Sequence, residues 1–74
     1  KIAIINIADL STFESGSMVD AAALKERGRV KGKYDGIKLL GKGEISHPLT
    51  VKLDYISKGA QEKIKSAGGS VEVA

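Results

Sequence analysis

The sequence predicts one small domain of mixed α/β (α+β) class, built from short strands and two helices. Three observations point there. Strand-like and helix-like apolar patterns follow one another in the order strand, helix, strand, strand, helix, strand. No repeat, low-complexity tract or long linker divides residues 1–74, so they read as a single globular unit. With three aromatic residues and no Trp or Cys, the core has to come from Ile, Val, Leu and Ala, and no disulfide can brace it. A chain of this size buries only about 60% of the surface its unfolded form exposes, so that core is thin.

Each element has a local reason. Ala3 to Ile7 reads as a short buried strand from its isoleucines and its length. Asp9 to Ser17 is polar and reads as a loop or a short turn of helix, with Phe13 as its anchor. Asp20 is placed to cap a helix over Ala21–Arg27, because its carboxylate can accept from backbone N–H groups that lack a partner in the first turn. Gly28 ends that helix, and Leu24 with Val19 and either Ala21 or Ala22 is expected to form its buried side. A helix so short depends on tertiary packing. Arg29 to Gly36 is a basic loop, and Gly36 to Leu40 is the next strand.

Gly41-Lys42-Gly43 reads as a tight turn in which Gly41 or Gly43 needs a positive φ. Glu44 to Pro48 links onward with Ile45 turned inward. Thr50 to Asp54 alternates, with Val51 and Leu53 on one face and Thr50, Lys52 and Asp54 on the other, the mark of a half-buried strand. Ser57 caps a second helix whose apolar stripe is Ala60, Ile64 and Ala67, and Gly68-Gly69 stops it. Ser70 to Val73 is a last strand with Val71 and Val73 on one face.

Composition removes several function classes. Without cysteine there is no thiolate nucleophile and no cysteine-based zinc or iron–sulfur site. The single histidine, His47, cannot make a zinc site by itself and reads as a surface residue of a turn. The carboxylates are scattered, and none pairs with another as an acid–base dyad. Gly41-Lys42-Gly43 lacks the further glycine and the Lys-Ser/Thr of a phosphate-binding loop. Nothing points to an enzyme, a cofactor or a small-molecule substrate. No apolar run approaches the 18 or so residues of a membrane-spanning helix, and no signal-peptide pattern is present, so a membrane partner is not expected. The chain opens at Lys1 inside an apolar run, which leads us to expect a piece of a longer protein.

Charge is the informative feature. Between Lys25 and Lys42 lie seven basic residues against Glu26 and Asp35, a local net of +5, while the remaining residues carry a net of −2. In Arg27-Gly28-Arg29-Val30-Lys31-Gly32-Lys33 every second residue is basic. Were this stretch extended, its four cations would point one way at a spacing of about 6.6 Å, a row suited to a polyanion such as RNA. The alternative is a solvated loop whose charge serves solubility. Tyr34, beside the row, can stack on a base or pack against the loop.

Three blocks carry a family resemblance. Lys38-Leu39-Leu40-Gly41-Lys42-Gly43-Glu44-Ile45, then Leu49-Thr50-Val51-Lys52, then Ile56-Ser57 with Ala60, Ile64 and Gly68 resemble the C-terminal signature of the bacterial-type large-subunit ribosomal protein L-fifteen family. The opening Ile5-Asn6-Ile7-Ala8-Asp9-Leu10, the Phe13-Glu14-x-Gly16 after it, and the closing Ala67-Gly68-Gly69-Ser70-Val71-Glu72-Val73 are similar to the same family.

The resemblance implies a structural constituent of the large ribosomal subunit that binds large-subunit (23S) ribosomal RNA and supports assembly. Its partners would be that RNA and neighbouring ribosomal proteins, and its place the ribosome of the cytoplasm or of an organelle. It also implies an irregular β–β–α fold that follows a long Gly-, Lys- and Arg-rich extension absent from this sequence. On this reading Arg27, Arg29, Lys31 and Lys33 contact phosphates, with Lys38, Lys42 and Lys52 as lesser contacts. Two positions depart from the family pattern. Asp54 stands where a His is usual, so no RNA contact is carried over to it, and Ala21 stands where Pro often follows the capping residue. A competing class is a protein-interaction domain that presents its last helix, or the open edge of the strand over Thr50–Asp54, to a protein partner.

Overall fold

The strands divide between two sheets whose apolar side chains meet in one core. The computed structural model describes residues 1–73. In chain order the elements are β1 (Ile2–Asn6), a 3-10 turn (Ile7–Leu10), β2 (Met18–Val19), α1 (Ala21–Glu26), β3 (Gly36–Leu40), β4 (Thr50–Leu53), β5 (Tyr55–Ile56), α2 (Lys58–Ser66) and β6 (Ser70–Val73). One sheet has the order β1-β3-β5 and the other β2-β4-β6, and every pairing is parallel. Successive strands therefore enter alternate sheets.

The expected mixed α/β domain with two helices and short strands is what forms, with two additions. β2 and β5 have no counterpart among the expected strands, and the strand expected over Ala3–Ile7 shifts back by one residue because Ile7 begins the 3-10 turn. That turn is held by a reciprocal cap in which Asp9 Oδ2 accepts the Asn6 N–H at 2.8 Å. The strand expected over Thr50–Asp54 ends at Leu53. Asp54 instead turns its carboxylate to β3, where Oδ2 accepts the Ile37 N–H at 3.0 Å.

Register explains the core. Ile5, Leu39 and Ile56 align across the first sheet, and Val19, Val51 and Val71 across the second. All but the half-buried Val71 are buried, and both rows belong to one cluster with Leu10, Phe13, Leu24, Leu49 and Ile64. Each such side chain contributes about 1.5–3 kcal/mol by leaving water. Val73, on the same face as Val71, is 61% exposed because its row reaches only Leu53 at the end of the sheet.

Both helices start and stop as their sequences require. Asp20 Oδ1 accepts the Ala23 N–H at 2.8 Å, and Ser57 Oγ accepts the Ala60 N–H at 3.2 Å. At their ends Gly28 and Gly68 adopt φ of 72° and 88°. The Arg29 N–H then reaches the Leu24 carbonyl and the Gly69 N–H the Ile64 carbonyl, each at 2.9 Å, which closes a Schellman motif on each helix. Ala60 and Ile64 form the buried side of α2 as expected, while Ala67, the third member of the expected stripe, is its half-buried C-cap just past the last helical residue. On α1 the expectation for Ala21 or Ala22 is corrected. Both are exposed, and Ala23 packs beside Leu24 instead, because the first turn borders a surface cleft.

Candidate nucleic-acid interface

The basic stretch does not extend into a strand. Arg27 is the C-cap of α1, Gly28 and Gly32 take φ of 72° and 79°, and Val30 is buried between them. The regular row of four cations that an extended stretch would give therefore does not form. Positive-φ glycines turn the chain twice, and Val30 pins the loop to the core, leaving the cations splayed around it.

The candidate residues fall into three settings. Arg27 lies on the domain: its Nη1 donates to the Thr12 carbonyl at 2.9 Å, and its guanidinium sits over the Phe13 ring. Arg29 reaches the Thr12 hydroxyl at 3.5 Å, a marginal bond that leaves most of its five donors free. Lys31 and Lys33 are exposed and make no ion pair among the described residues.

The remaining three candidates stand apart from the loop. Lys38 projects from the outer face of the first sheet, in register with Ile4 and Tyr55. Lys42 lies in the turn after β3, and its carbonyl accepts the Ala8 N–H at 3.0 Å. Lys52 lies 3.7 Å from Glu72 across the second sheet. Both members of that pair are exposed, so the attraction is weak and a phosphate can displace it.

A cleft of about 660 Å³ opens between α1 and the basic loop, lined by Lys25, Lys33, Tyr34 and Ala21 among others. Lys25 is part of the basic stretch but not of the expected contact set. The structure brings it to this cleft, with its Nζ 5.9 Å from the centroid of the half-buried Tyr34 ring. Its position one helical turn after Ala21 is the sequence signal that places it there.

His47 is not a free surface residue. It is half-buried, and its Nε2 lies 2.6 Å from the Phe13 carbonyl, where it donates to that acceptor and ties the link before β4 to the Phe13 loop. Among the described residues no three His, Asp or Glu side chains gather into a metal site, and no helix is long and apolar enough to cross a membrane.

The chain is thus a small parallel-sheet α/β domain that gathers exposed cations on one loop beside the cleft holding Tyr34. The sequence relationships are more specific. Residues 4–72 match the family described as ribosomal proteins 50S-L15 and 50S-L18e with their 60S counterpart, and the chain belongs to that family. Relatives include the large ribosomal subunit protein uL15 of Desulfosudis oleivorans, 62% identical over 97% of this chain and 49% of the relative. The uL15 of Desulfatibacillum aliphaticivorans is 55% identical over 100% of this chain and 51% of the relative. That of Lactobacillus delbrueckii subsp. bulgaricus is 51% identical over 99% and 50%. The chain thus spans about half the length of the curated relatives it matches. The family takes its name from ribosomal proteins and not from a catalysed reaction, in keeping with the non-enzymatic reading of the sequence.

Proposed function

We propose that this chain is the globular domain of a structural constituent of the large ribosomal subunit, seated on large-subunit (23S) ribosomal RNA in the cytoplasm and supporting subunit assembly. The observation that carries the reading is the basic loop. Lys31 and Lys33 are exposed and unpaired among the described residues, with Arg29 beside them and most of its donors open. Arg29, Lys31 and Lys33 make the principal phosphate contacts. Arg27 contributes its outward face, and Lys38, Lys42 and Lys52 act from other surfaces. Such contacts position the protein without reading bases, and recognition then follows RNA shape. Neighbouring ribosomal proteins are the second class of partner.

Titration of large-subunit ribosomal RNA at several salt concentrations tests this. Each phosphate contact adds about 0.7–0.9 to the slope of log K against log salt. The triple variant Arg29→Ala, Lys31→Ala, Lys33→Ala should flatten that slope by about 2–3 and keep the parent's fold. An unchanged slope sinks the assignment. Sedimentation of the tagged full-length protein with the large subunit through a high-salt gradient tests the ribosomal placement independently.

The competing interaction-domain reading loses most of its structural basis at the strand edge. β4 is the middle strand of its sheet, paired with β6 along Thr50–Leu53 and with β2 over Thr50–Val51, so only Lys52–Leu53 lacks a strand on one side.

A further inference from the structure

Five large apolar side chains are exposed among the described residues, and three of them share one surface. Ile2 is 40%, Ile4 61% and Tyr55 51% exposed, and all lie on the outer face of the first sheet. Parallel register puts Ile4, Lys38 and Tyr55 in one row across β1, β3 and β5. At about 4.8 Å between strands, that row spans roughly 10 Å. Gly36 stands one pleat before Lys38, opposite Ile2. A Cβ there would lie 3.1 Å from Tyr55 Cε2, so the absence of a side chain lets the ring settle over the strand. Asp54, the acidic neighbour of Gly36, is engaged by the Ile37 N–H. Lys38, at the centre of the row, is exposed and makes no ion pair among the described residues.

We infer that this face is a stacking platform for an unpaired nucleotide of the bound RNA, with the base lying on Tyr55 and Ile4 and a phosphate held by Lys38. The inference rests on the RNA-binding reading and adds a second contact of a different kind, away from the basic loop. Charge complementarity selects the occupant. An apolar protein surface laid here would bury Lys38 between Ile4 and Tyr55 without a counter-charge, which disfavours it strongly. A nucleotide supplies a planar apolar ring and an anion together. Exposed aromatic side chains on a sheet are a general means of holding splayed-out bases.

The test uses the 74-residue chain with two probes, a single-stranded RNA of about 12 nucleotides and a blunt RNA duplex of the same length. Tyr55→Ala should weaken the single strand about tenfold and leave the duplex nearly unchanged, because only the terminal pairs of a duplex expose a face that can stack on the platform. Tyr55→Phe should bind both as the parent does. Lys31→Ala with Lys33→Ala should weaken both probes. Circular dichroism of each variant checks folding, and ultraviolet crosslinking of the parent to the single strand should place a nucleotide on the peptide holding Tyr55. Equal loss on both probes, no loss on either, or a crosslink confined to the basic loop overturns the platform while leaving the RNA reading standing. If the parent binds neither probe nor ribosomal RNA, both fall. Should Tyr55→Ala instead abolish capture of an RNA-free ribosomal protein, with RNA affinity intact, the face is a protein contact and the inference is wrong.

Discussion

The guanidinium carbon of Arg27 lies 4.2 Å from the centroid of the Phe13 ring, so the C-cap of α1 is clamped onto the loop that precedes β2. Phe13 is only 3% exposed, and the guanidinium forms part of its cover. The same group donates to the Thr12 carbonyl. Arg27 is thus both a surface charge and a structural fastener.

Its two roles separate on mutation. Arg27→Ala should lower stability by about 1–2 kcal/mol, the sum of an exposed cation–π contact and one hydrogen bond. Arg27→Lys should recover little of it, since an ammonium cannot stack and donate in the same geometry. Denaturant titration reads the loss. A stability equal to the parent's in Arg27→Ala would leave Phe13 as a self-sufficient anchor.

Gly43 is needed for space as well as for its φ of 105°. A Cβ at that position would lie 2.6 Å from Ala8 Cβ and 2.7 Å from Ala8 N, in the 3-10 turn. Gly41, whose φ is not positive, would bring a Cβ to 3.1 Å from the Ala60 N at the start of α2. We expect Gly43→Ala to cost about 2–4 kcal/mol and Gly41→Ala less, in thermal or denaturant melts. Equal losses would mean that backbone conformation contributes nothing extra at Gly43.

Gly69 and Gly59 make an opposed pair. A Cβ on Gly69 would collide with the Leu49 carbonyl oxygen, whereas one on Gly59 meets nothing within 4 Å. Leu49 O is the acceptor of the Ser70 N–H that leads into β6, so Gly69→Ala should push β6 away from β4 and destabilise strongly. Gly59→Ala, on an exposed face of α2, should stabilise by about 0.5–1 kcal/mol. Melting temperatures that move in the same direction for both would contradict the geometry.

The cap of α1 carries more of its helix than the cap of α2. α1 has six residues and α2 nine, so the single side-chain bond from Asp20 is a larger share of what holds α1. Asp20→Ala should cost about 1 kcal/mol. In that variant, hydrogen exchange should show Ala23 and Leu24 amides opening more than any amide of α2. Exchange spread evenly over both helices would place the stability of α1 elsewhere.

Local signals are legible in the sequence, and those set by distant partners are not. Asp20, Ser57, Gly28 and Gly68 act within a few residues of themselves, so their caps and stops follow from chain chemistry alone. β2 and β5 are two residues each and exist only because Met18–Val19 meets Thr50–Val51 and Tyr55–Ile56 meets Lys38–Leu39. No periodicity can show in so short a run.

The site divides the same way. The concentration of cations between Lys25 and Lys42 is plain from composition. Which of them are free is hidden there, because it depends on Phe13 and Thr12 taking up Arg27 and on Val30 turning inward. Tyr55 gives no signal at all, since the room for its ring comes from Gly36, on a different strand.

The interleaving of strands between the two sheets has a consequence for synthesis. Among the described residues no strand pairs with its immediate successor, so no part of either sheet closes locally as the chain emerges. The first sheet waits for Tyr55–Ile56, and β4 keeps one edge bare until Ser70–Val73 arrives. Cooperative folding is thereby deferred until nearly all of this segment has been made, and parallel pairings at such separations favour slow closure. Throughout that interval the cationic loop is already made and exposed, so under the proposed RNA-binding role a phosphate backbone would meet the chain before its fold is complete.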